Sequence, residues 1–356
     1  MIRNTPAPRN YQIDCLKLIF SFIVLLFHSA WLGDGYYNYP LMMGQVSTHF
    51  FFVVSGMLMT DSIVRHGSTD SPERAAIMLC IQRIKPLIFP LWISILFIII
   101  AENILNGTIP NVFFTIAHIL PECFLLTRTG LRVDINPPVW YLSAMYLSML
   151  PLSYLLFKKN HFTLYIFAPL ISVHLFGYLC YANDFSFEGT YFSYVVMFEI
   201  VRAVCGLSFG ICAWVLSQKI QEIAQKYYIH FWLAIMEVLL YFLYFYVWFL
   251  AQENVLIMSV QLVLPIMLAI TFSGESRLSH IFTFSWMKYF APLSRSIYLN
   301  HWVANIIVAK LFADKNYLFC LATLIFITLV SCLLNYFLVF CIKKCMVSLK
   351  IKHLKR

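Results

Sequence analysis

The chain of 356 residues is 61% hydrophobic and only 12% charged, with a mean hydropathy of +0.79. Soluble domains carry about 25% charged residues, so this composition excludes a soluble protein and indicates one that crosses a membrane many times. The net charge of +9 does not indicate a nucleic-acid partner, because the basic residues lie in short segments between apolar runs. Such segments are typical of cytoplasmic loops that face anionic lipid headgroups, so membrane lipids are the expected neighbours.

Ten apolar runs are long enough to span a bilayer, and they predict an all-α polytopic membrane protein with about ten transmembrane helices in one bundle. In chain order the runs cover residues 15–32, 46–64, 87–105, 140–157, 162–181, 191–217, 229–251, 254–273, 289–312 and 317–341. The stretch 109–127 is a candidate re-entrant or interfacial piece. The first run is expected to be retained, since no small-residue cleavage site follows it.

The distribution of basic residues predicts the orientation of these spans. The inner loop 65–86 carries four of them, Arg65, Arg74, Arg83 and Lys85, whereas the longer outer loop 106–139 carries Arg128 and Arg132. By the positive-inside rule and the even number of spans, both termini are expected to be cytoplasmic. We divide the chain into a transmembrane domain at 1–346 and a basic cytoplasmic tail at 347–356.

The first span contains two ionisable residues, Lys17 and His28, eleven positions apart. On a helix that separation is roughly 16 Å and close to three turns, so both side chains share one face. A histidine deep in a span could take a proton from an attacking hydroxyl or accept an acyl group itself, and a lysine near the inner surface could hold a phosphate. The alternative is a snorkelling lysine and a histidine bonded to a neighbouring helix.

Two later segments have a structural interpretation that must be weighed against a functional one. The small residues Ser55 and Gly56 interrupt the second span after three phenylalanines, which permits close helix approach. Arg83 and Lys85 at the start of the third span either bind phosphates of a soluble cofactor or are ordinary positive-inside charges. Residue types and spacing leave both alternatives open.

The ninth span is unusually polar. Ser294, Tyr298 and His301 follow one another at i, i+4 and i+7, which is one helical face, and so polar a face indicates a bundle interior or a water-filled cavity. Glu199 and Arg202, three residues apart in the sixth span, are expected to form a structural pair.

Most of the ten cysteines lie inside apolar runs or near basic ends, without the spacing of a metal site, and are interpreted as packing residues. No metal is therefore expected. A disulfide between Cys123 and Cys180 is the alternative for that one pair.

In their order and spacing these segments resemble membrane acyltransferase family 3, bacterial multi-span enzymes that O-acylate sugars of surface polysaccharides. The resemblance runs from Ile13 to about Trp302 and rests on Asp14, Lys17 and His28; Phe51, Phe52, Ser55 and Gly56; Arg83, Ile84 and Pro86; Trp140, Leu142 and Pro151; and Ser294, Tyr298, Leu299 and His301. Two positions depart from the family pattern. Cys80 stands where many members have arginine, and Met145 stands where many have glutamate.

The resemblance implies an O-acetyltransferase-like enzyme of the bacterial cytoplasmic membrane. Its donor would be cytoplasmic acetyl-CoA or another acyl-CoA, with no permanently bound cofactor, and its acceptor a sugar hydroxyl of a surface polysaccharide or of the lipid-linked precursor. His28 would be the general base or a transient acyl carrier. The implied catalytic residues are His28, Lys17, Tyr298 and His301, and the implied donor-binding residues are Arg83, Lys85 and Ser55.

The competing function is a polysaccharide exporter or permease without acyl-transfer chemistry. Transporters commonly show internal symmetry and broken helices in corresponding halves, and the sequence shows neither feature.

Overall fold

The computed structural model describes residues 9–33, 44–68, 70–107, 112–127, 135–182, 192–193, 196–250 and 253–354. Within these ranges the chain is a bundle of helices. The α-helices are α1 (Tyr11–Ser29), α2 (Gly44–His66), α3 (Pro72–Asn106), α4 (Val112–Cys123), α5 (Trp140–Lys158), α6 (Asn160–Phe162), α7 (Ala168–Ala182), α8 (Phe198–Tyr227), α9 (His230–Leu250), α10 (Asn254–Val260), α11 (Val263–Ser273), α12 (Phe290–Leu311) and α13 (Tyr317–Leu354).

Shorter elements complete the path of the chain. Thr163–Phe167 forms a π-helical turn that joins α6 to α7. Three 3-10 helices cover Pro137–Val139, Arg277–Ile281 and Ser285–Tyr289. Two strands of two residues each, β1 (Phe192–Ser193) and β2 (Val196–Met197), pair antiparallel immediately before α8.

Nine helical segments of the described part of the chain are long and apolar enough to cross a membrane, which confirms the predicted all-α polytopic fold. The one predicted span outside that group is the ninth, α12, whose 22 residues reach roughly 33 Å but which carries many polar side chains. Helix α4 has 12 residues and reaches roughly 18 Å, too short for a hydrocarbon core about 30 Å thick. It therefore fits the interpretation of 109–127 as a re-entrant or interfacial piece.

Several predicted boundaries move, each for a local reason. The run at 191–217 becomes helical only at Phe198, because the residues before it pair as strands, and the helix continues to Tyr227. Helix α3 begins at Pro72, before the apolar run, because the Ser71 hydroxyl accepts a hydrogen bond from the Arg74 N–H and proline is favoured in the first turn. The run at 254–273 is two helices, α10 and α11, with a break between them.

The two chain ends, which are predicted to be cytoplasmic, lie outside the described residues at 1–8 and 355–356. Arg128 and Arg132 of the predicted outer loop also lie outside them. Helix α13 continues from Tyr317 through Leu354, past the division proposed at 346 and 347. The separate basic tail stays a prediction.

The helices α1, α3 and α12 run in the same direction. At one end, the Arg9 guanidinium, just before α1, donates to the Lys288 carbonyl just before α12, over 2.8 Å. At the other end, Trp31 just after α1 and the last turns of α3 and α12 line one common pocket. The first, third and ninth predicted spans are therefore parallel, as a chain that crosses the membrane ten times requires.

Helices α2 and α8 pack in close contact in the core of the bundle. A Cβ atom at Gly56 would collide with the Leu207 carbonyl group, and a Cβ at Gly210 would collide with the Val53 carbonyl. Gly206 faces the Phe52 side chain in the same way. Only glycine allows two helix backbones to approach this closely, so the close helix approach considered for the second span is present at Gly56.

All ten cysteines are free, so the disulfide between Cys123 and Cys180 is wrong. Cys205 and Cys320 are fully buried among apolar side chains, in agreement with a packing role.

Gly56→Ala should lower the free energy of unfolding by about 1–3 kcal/mol, because the added methyl group has no room at the α2–α8 contact. The matched control is Gly177→Ala in α7, where no atom lies within 4 Å of the added carbon. Helix propensity predicts no loss of stability in this control. Thermal unfolding of both variants in detergent measures the difference, and equal midpoints would contradict the close contact.

The orientation can be tested with an impermeant thiol reagent on intact cells, using a chain that lacks its native cysteines. Ser68→Cys and Ala313→Cys replace small, exposed residues in the connections after α2 and after α12. The charge distribution predicts labelling at position 313 and protection at position 68. The reverse pattern would invert the predicted topology.

Candidate active site

The centre of the candidate site is a pair of histidines from α1 and α12. The rings of His28 and His301 stack with their centroids 5.2 Å apart and their planes 27° from parallel. His301 is buried, whereas His28 is half-buried and meets the Trp302 ring edge-on at a centroid distance of 5.3 Å. Two imidazoles, 273 positions apart in the chain, therefore form one site.

The hydrogen bonds of His301 define which ring nitrogen can accept a proton. Its Nδ1 lies 2.9 Å from the Tyr298 carbonyl oxygen and 3.2 Å from that of Ile297. Carbonyl oxygens only accept, so Nδ1 carries the hydrogen of the neutral ring and Nε2 carries the lone pair. Nε2 is buried, and no hydrogen-bond partner for it exists among the described residues. Leaving a buried polar atom unpaired costs about 1–3 kcal/mol, which suits an atom kept for a reactant.

The backbone of His28 is fixed by two side chains. Its carbonyl oxygen accepts hydrogen bonds from the Asn305 amide and from the Trp31 indole N–H. Asn305 is buried and lies one helical turn beyond His301 on the same face of α12. The end of α1 is thereby attached to α12 beside the paired rings.

Tyr298 supports the site through its side chain, which contacts the backbone at Pro138 and lies near His301. Its hydroxyl donates to the Pro138 carbonyl oxygen, and its ring lies 6.0 Å from the His301 ring. Pro138 belongs to the short 3-10 helix that precedes α5. The structure thus places Tyr298 beside His301, where it ties α12 to the connection that follows α4.

That connection is itself held by a buried carboxylate. Glu122, at the end of α4, accepts hydrogen bonds from the backbone N–H groups of Ile135 and Asn136, over 2.9 and 2.8 Å. The Asn136 amide then donates to the Leu299 carbonyl oxygen over 3.0 Å and to the Ser94 hydroxyl over 3.2 Å. Helix α4 therefore helps to position the segment of α12 that carries Tyr298 and His301.

A cationic region lies toward the other end of α1. Lys17 and Arg9 both pair with the Asp14 carboxylate, at 3.4 and 2.5 Å. Lys17 also lies within electrostatic range of Arg83, and Arg83 and Arg295 both lie near the Tyr146 hydroxyl. Cations outnumber carboxylates here, so the region favours an anion.

Arg83 retains hydrogen-bonding capacity for such an anion. Its Nη2 donates to the Leu58 carbonyl oxygen over 2.9 Å, and its own carbonyl oxygen accepts from Tyr146 over 3.1 Å. A guanidinium has five N–H donors, so the bond to Leu58 leaves others for phosphate oxygens.

Not every expected donor residue lies in this region. Lys85 is exposed, and because two helical positions point nearly opposite ways, the structure separates it from Arg83. Ser55 instead lies near the Tyr141 hydroxyl, and the Tyr141 ring lies 5.6 Å from the Tyr298 ring. It therefore lies beside the tyrosines Tyr141 and Tyr298, between the cationic region and the histidines.

The two positions that depart from the family pattern, Met145 and Cys80, lie near Tyr141 and Arg83. The Tyr141 hydroxyl donates to the Met145 sulfur over 3.2 Å. Cys80 is buried within electrostatic range of Arg83. Both departing residues have a polar neighbour, because Tyr141 contacts Met145 and Arg83 lies near Cys80.

The expected pair of Glu199 and Arg202 belongs to a different cluster, near the start of α8. The Arg202 guanidinium donates to the Thr48 hydroxyl over 3.1 Å and lies 5.0 Å from the centre of the Trp140 ring. His49, also buried, packs against Phe209 in the same part of the bundle. These contacts connect α2, α5 and α8 and fit a structural role.

Sequence reasoning missed Asn305, Arg295 and Glu122. Asn305 extends the polar face of α12 to i+11 and could have been found by continuing the helical spacing. Arg295 was visible in the same segment, but its closeness to Tyr146 depends on the packing of α12 against other helices. Glu122 gave no sequence signal beyond being an acidic residue in an apolar stretch.

His301 Nε2 is thus a buried proton acceptor inside the bundle. The cationic region with Lys17 and Arg83 lies toward one end of the bundle, and a pocket beside Trp31 and Trp302 opens at the other. The family model described as an acyltransferase domain, that of acyltransferase family 3, matches residues 10–337, nearly the whole chain. No curated protein and no solved structure matches the chain.

Tyr298→Phe should destabilise the fold by about 1 kcal/mol, because it removes the hydrogen bond to Pro138 and keeps the ring. Tyr289→Phe is the matched control, since Tyr289 is 63% exposed. Thermal unfolding in detergent measures both variants. A Tyr298→Phe midpoint equal to that of the parent would contradict the supporting role assigned to this hydroxyl.

Proposed function

Because the chain belongs to acyltransferase family 3 and is a multi-pass membrane acyltransferase, we propose that it transfers an acyl group, acetyl above all, from cytoplasmic acyl-CoA to a sugar hydroxyl. The acceptor would be a surface polysaccharide or its lipid-linked precursor, and the membrane the bacterial cytoplasmic membrane. The observation that carries the proposal is the pair His28 and His301, with one unpartnered buried nitrogen, inside a bundle matched by that family.

The cationic region supports an acyl-CoA donor. CoA carries several phosphate charges, and the cytoplasmic end predicted for α1 and α3 contains Lys17 and Arg83 within electrostatic range of each other. A guanidinium binds phosphate by charge-assisted hydrogen bonds, whereas an ammonium acts as a point charge. Lys17 is already paired with Asp14, so we assign the direct phosphate contact to Arg83 and a supporting charge to Lys17.

The distance between Lys17 and His28 supports transfer inside the bundle. Eleven helical positions correspond to roughly 16 Å, which is past the middle of a core about 30 Å thick. The phosphates of the donor would remain at the inner end, and the long pantetheine arm would carry the thioester to the histidines.

The chemistry at the histidines would be a direct transfer. The acceptor hydroxyl oxygen attacks the thioester carbonyl carbon while the His28 imidazole takes the hydroxyl proton. The carbon–sulfur bond then breaks, and the thiolate receives that proton and leaves as free CoA thiol. An ester of the sugar is formed, and no oxidant or reductant is consumed. His301 stacks on His28 and provides a second proton acceptor beside it.

His28→Ala should lower acyl transfer by at least about 10²-fold, the usual contribution of a positioned general base. The control is His66→Ala, since His66 is exposed at the end of α2. Release of CoA thiol from acetyl-CoA is measured in inside-out membrane vesicles that contain the native acceptor. A normally expressed His28→Ala protein with parental activity would remove His28 from the mechanism.

Arg83→Ala should raise KM for acetyl-CoA about tenfold or more and change kcat little, because phosphate contacts are made equally in the ground and transition states. The matched control is Arg74→Ala, an arginine at the start of the same helix with a 75% exposed side chain. Titration of acetyl-CoA in the same vesicles separates the two constants. A large fall in kcat at unchanged KM would contradict the donor assignment.

A further inference from the structure

A pocket of about 260 Å³ opens between Trp31, just after α1, and the last turns of α3 and α12. Its aromatic wall consists of Trp31 and Trp302, and its polar groups are Glu102, Asn106, Asn305 and Lys310. The two indole rings stack with their centroids 6.0 Å apart and their planes 30° from parallel. The pocket therefore combines flat apolar surfaces with a carboxylate, amides and an ammonium group.

The pocket wall is continuous with the histidine pair. Trp302 contacts the His28 ring edge-on at 5.3 Å between centroids, and Trp31 and Asn305 both donate to the His28 carbonyl oxygen. His28 does not itself line the pocket, but it is half-buried and lies directly beyond two lining residues, Trp302 and Asn305, which both contact it. The cationic region lies at the opposite end of the same helices, as the contact between Arg9 and Lys288 shows.

This combination of groups distinguishes the pocket from a lipid contact and from an anion site. Tryptophans that anchor a protein at the membrane surface need only lipid headgroups around them, whereas Glu102 and Lys310 share one cavity with these rings. A carboxylate and an ammonium group together do not favour a purely anionic or cationic ligand. They do suit a neutral molecule with many hydroxyl groups, whose oxygens both donate and accept hydrogen bonds.

We infer that this pocket is the acceptor subsite and that it holds one pyranose ring of a carbohydrate. The apolar face of the ring packs on the tryptophans, since aromatic side chains supply large flat contact areas. Hydroxyl groups donate to the Glu102 carboxylate and accept from Lys310 and Asn106. One further hydroxyl extends past the edge of Trp302 to His28, which receives its proton. The inference rests on the proposed function, to which it adds the place where the acceptor binds and the residues that hold it.

The test uses purified full-length protein in proteoliposomes, with acetyl-CoA as the donor and a panel of methyl hexosides and N-acetylhexosaminides as acceptors. Release of CoA thiol and formation of the acetylated glycoside are measured separately. Glu102→Gln and Trp31→Ala change two exposed lining residues. The matched controls are Glu253→Gln, an exposed carboxylate before α10, and Trp92→Ala, a 43% exposed tryptophan on α3 outside the pocket.

Both pocket variants should raise KM for the glycoside about tenfold, which corresponds to the loss of one charged hydrogen bond or one stacked ring, and leave KM for acetyl-CoA unchanged. The controls should keep both constants. Unchanged glycoside KM in both pocket variants would overturn the acceptor subsite and leave the proposed function standing. The absence of any acetylated glycoside, with His28-dependent release of CoA thiol, would overturn the sugar acceptor both here and in the proposed function, but would keep acyl-CoA as the donor. A parent protein that releases no CoA thiol from acetyl-CoA would instead contradict the proposed function itself.

Discussion

The polar face of α12 sets a constraint that the surrounding helices must satisfy. Inside a membrane, a polar side chain without a partner costs several kcal/mol, so each one needs a neighbour. Ser294 lies 2.6 Å from the Ser21 hydroxyl and donates to the Lys17 carbonyl oxygen, which attaches α12 to α1. The Asn300 amide oxygen accepts from Asn335 over 3.1 Å, which attaches α12 to α13. The same Asn335 donates to the Pro90 carbonyl oxygen and brings in α3.

This network explains why one buried nitrogen is left without a partner. Every other polar group discussed on that face of α12 is bound to a neighbouring helix or to backbone, and His301 uses Nδ1 in the same way. On that face of α12, the Nε2 atom of His301 has no hydrogen-bond partner among the described residues. Other buried atoms of the described chain also lack a partner, Gln12 Oε1 and Ser148 Oγ among them, so the place of Nε2 at the ring that stacks on His28 is what distinguishes it. The proposed function assigns this nitrogen to a bound reactant.

Much of the fold could be predicted because apolar length and helical spacing are local properties. The ten runs, the short piece around 109–127 and the shared face of Ser294, Tyr298 and His301 all follow from residues close in the chain. The stacking of His28 on His301 does not, since it depends on how α1 packs against α12. The separation of Arg83 from Lys85 follows from helical geometry, but which of the two faces inward depends on packing. The role of Glu122 required a fold in which α4 returns to cover residues 135 and 136.

We propose that acyl-CoA enters from the cationic end and brings its thioester to the paired histidines. An experimental structure with a bound non-hydrolysable acetyl-CoA analogue would show this path. We expect phosphate oxygens within hydrogen-bonding distance of Arg83 and the acetyl group beside the rings of His28 and His301. The path is wrong if the analogue binds with its phosphates in the pocket at Trp31 and Trp302, or with its acetyl group outside the bundle.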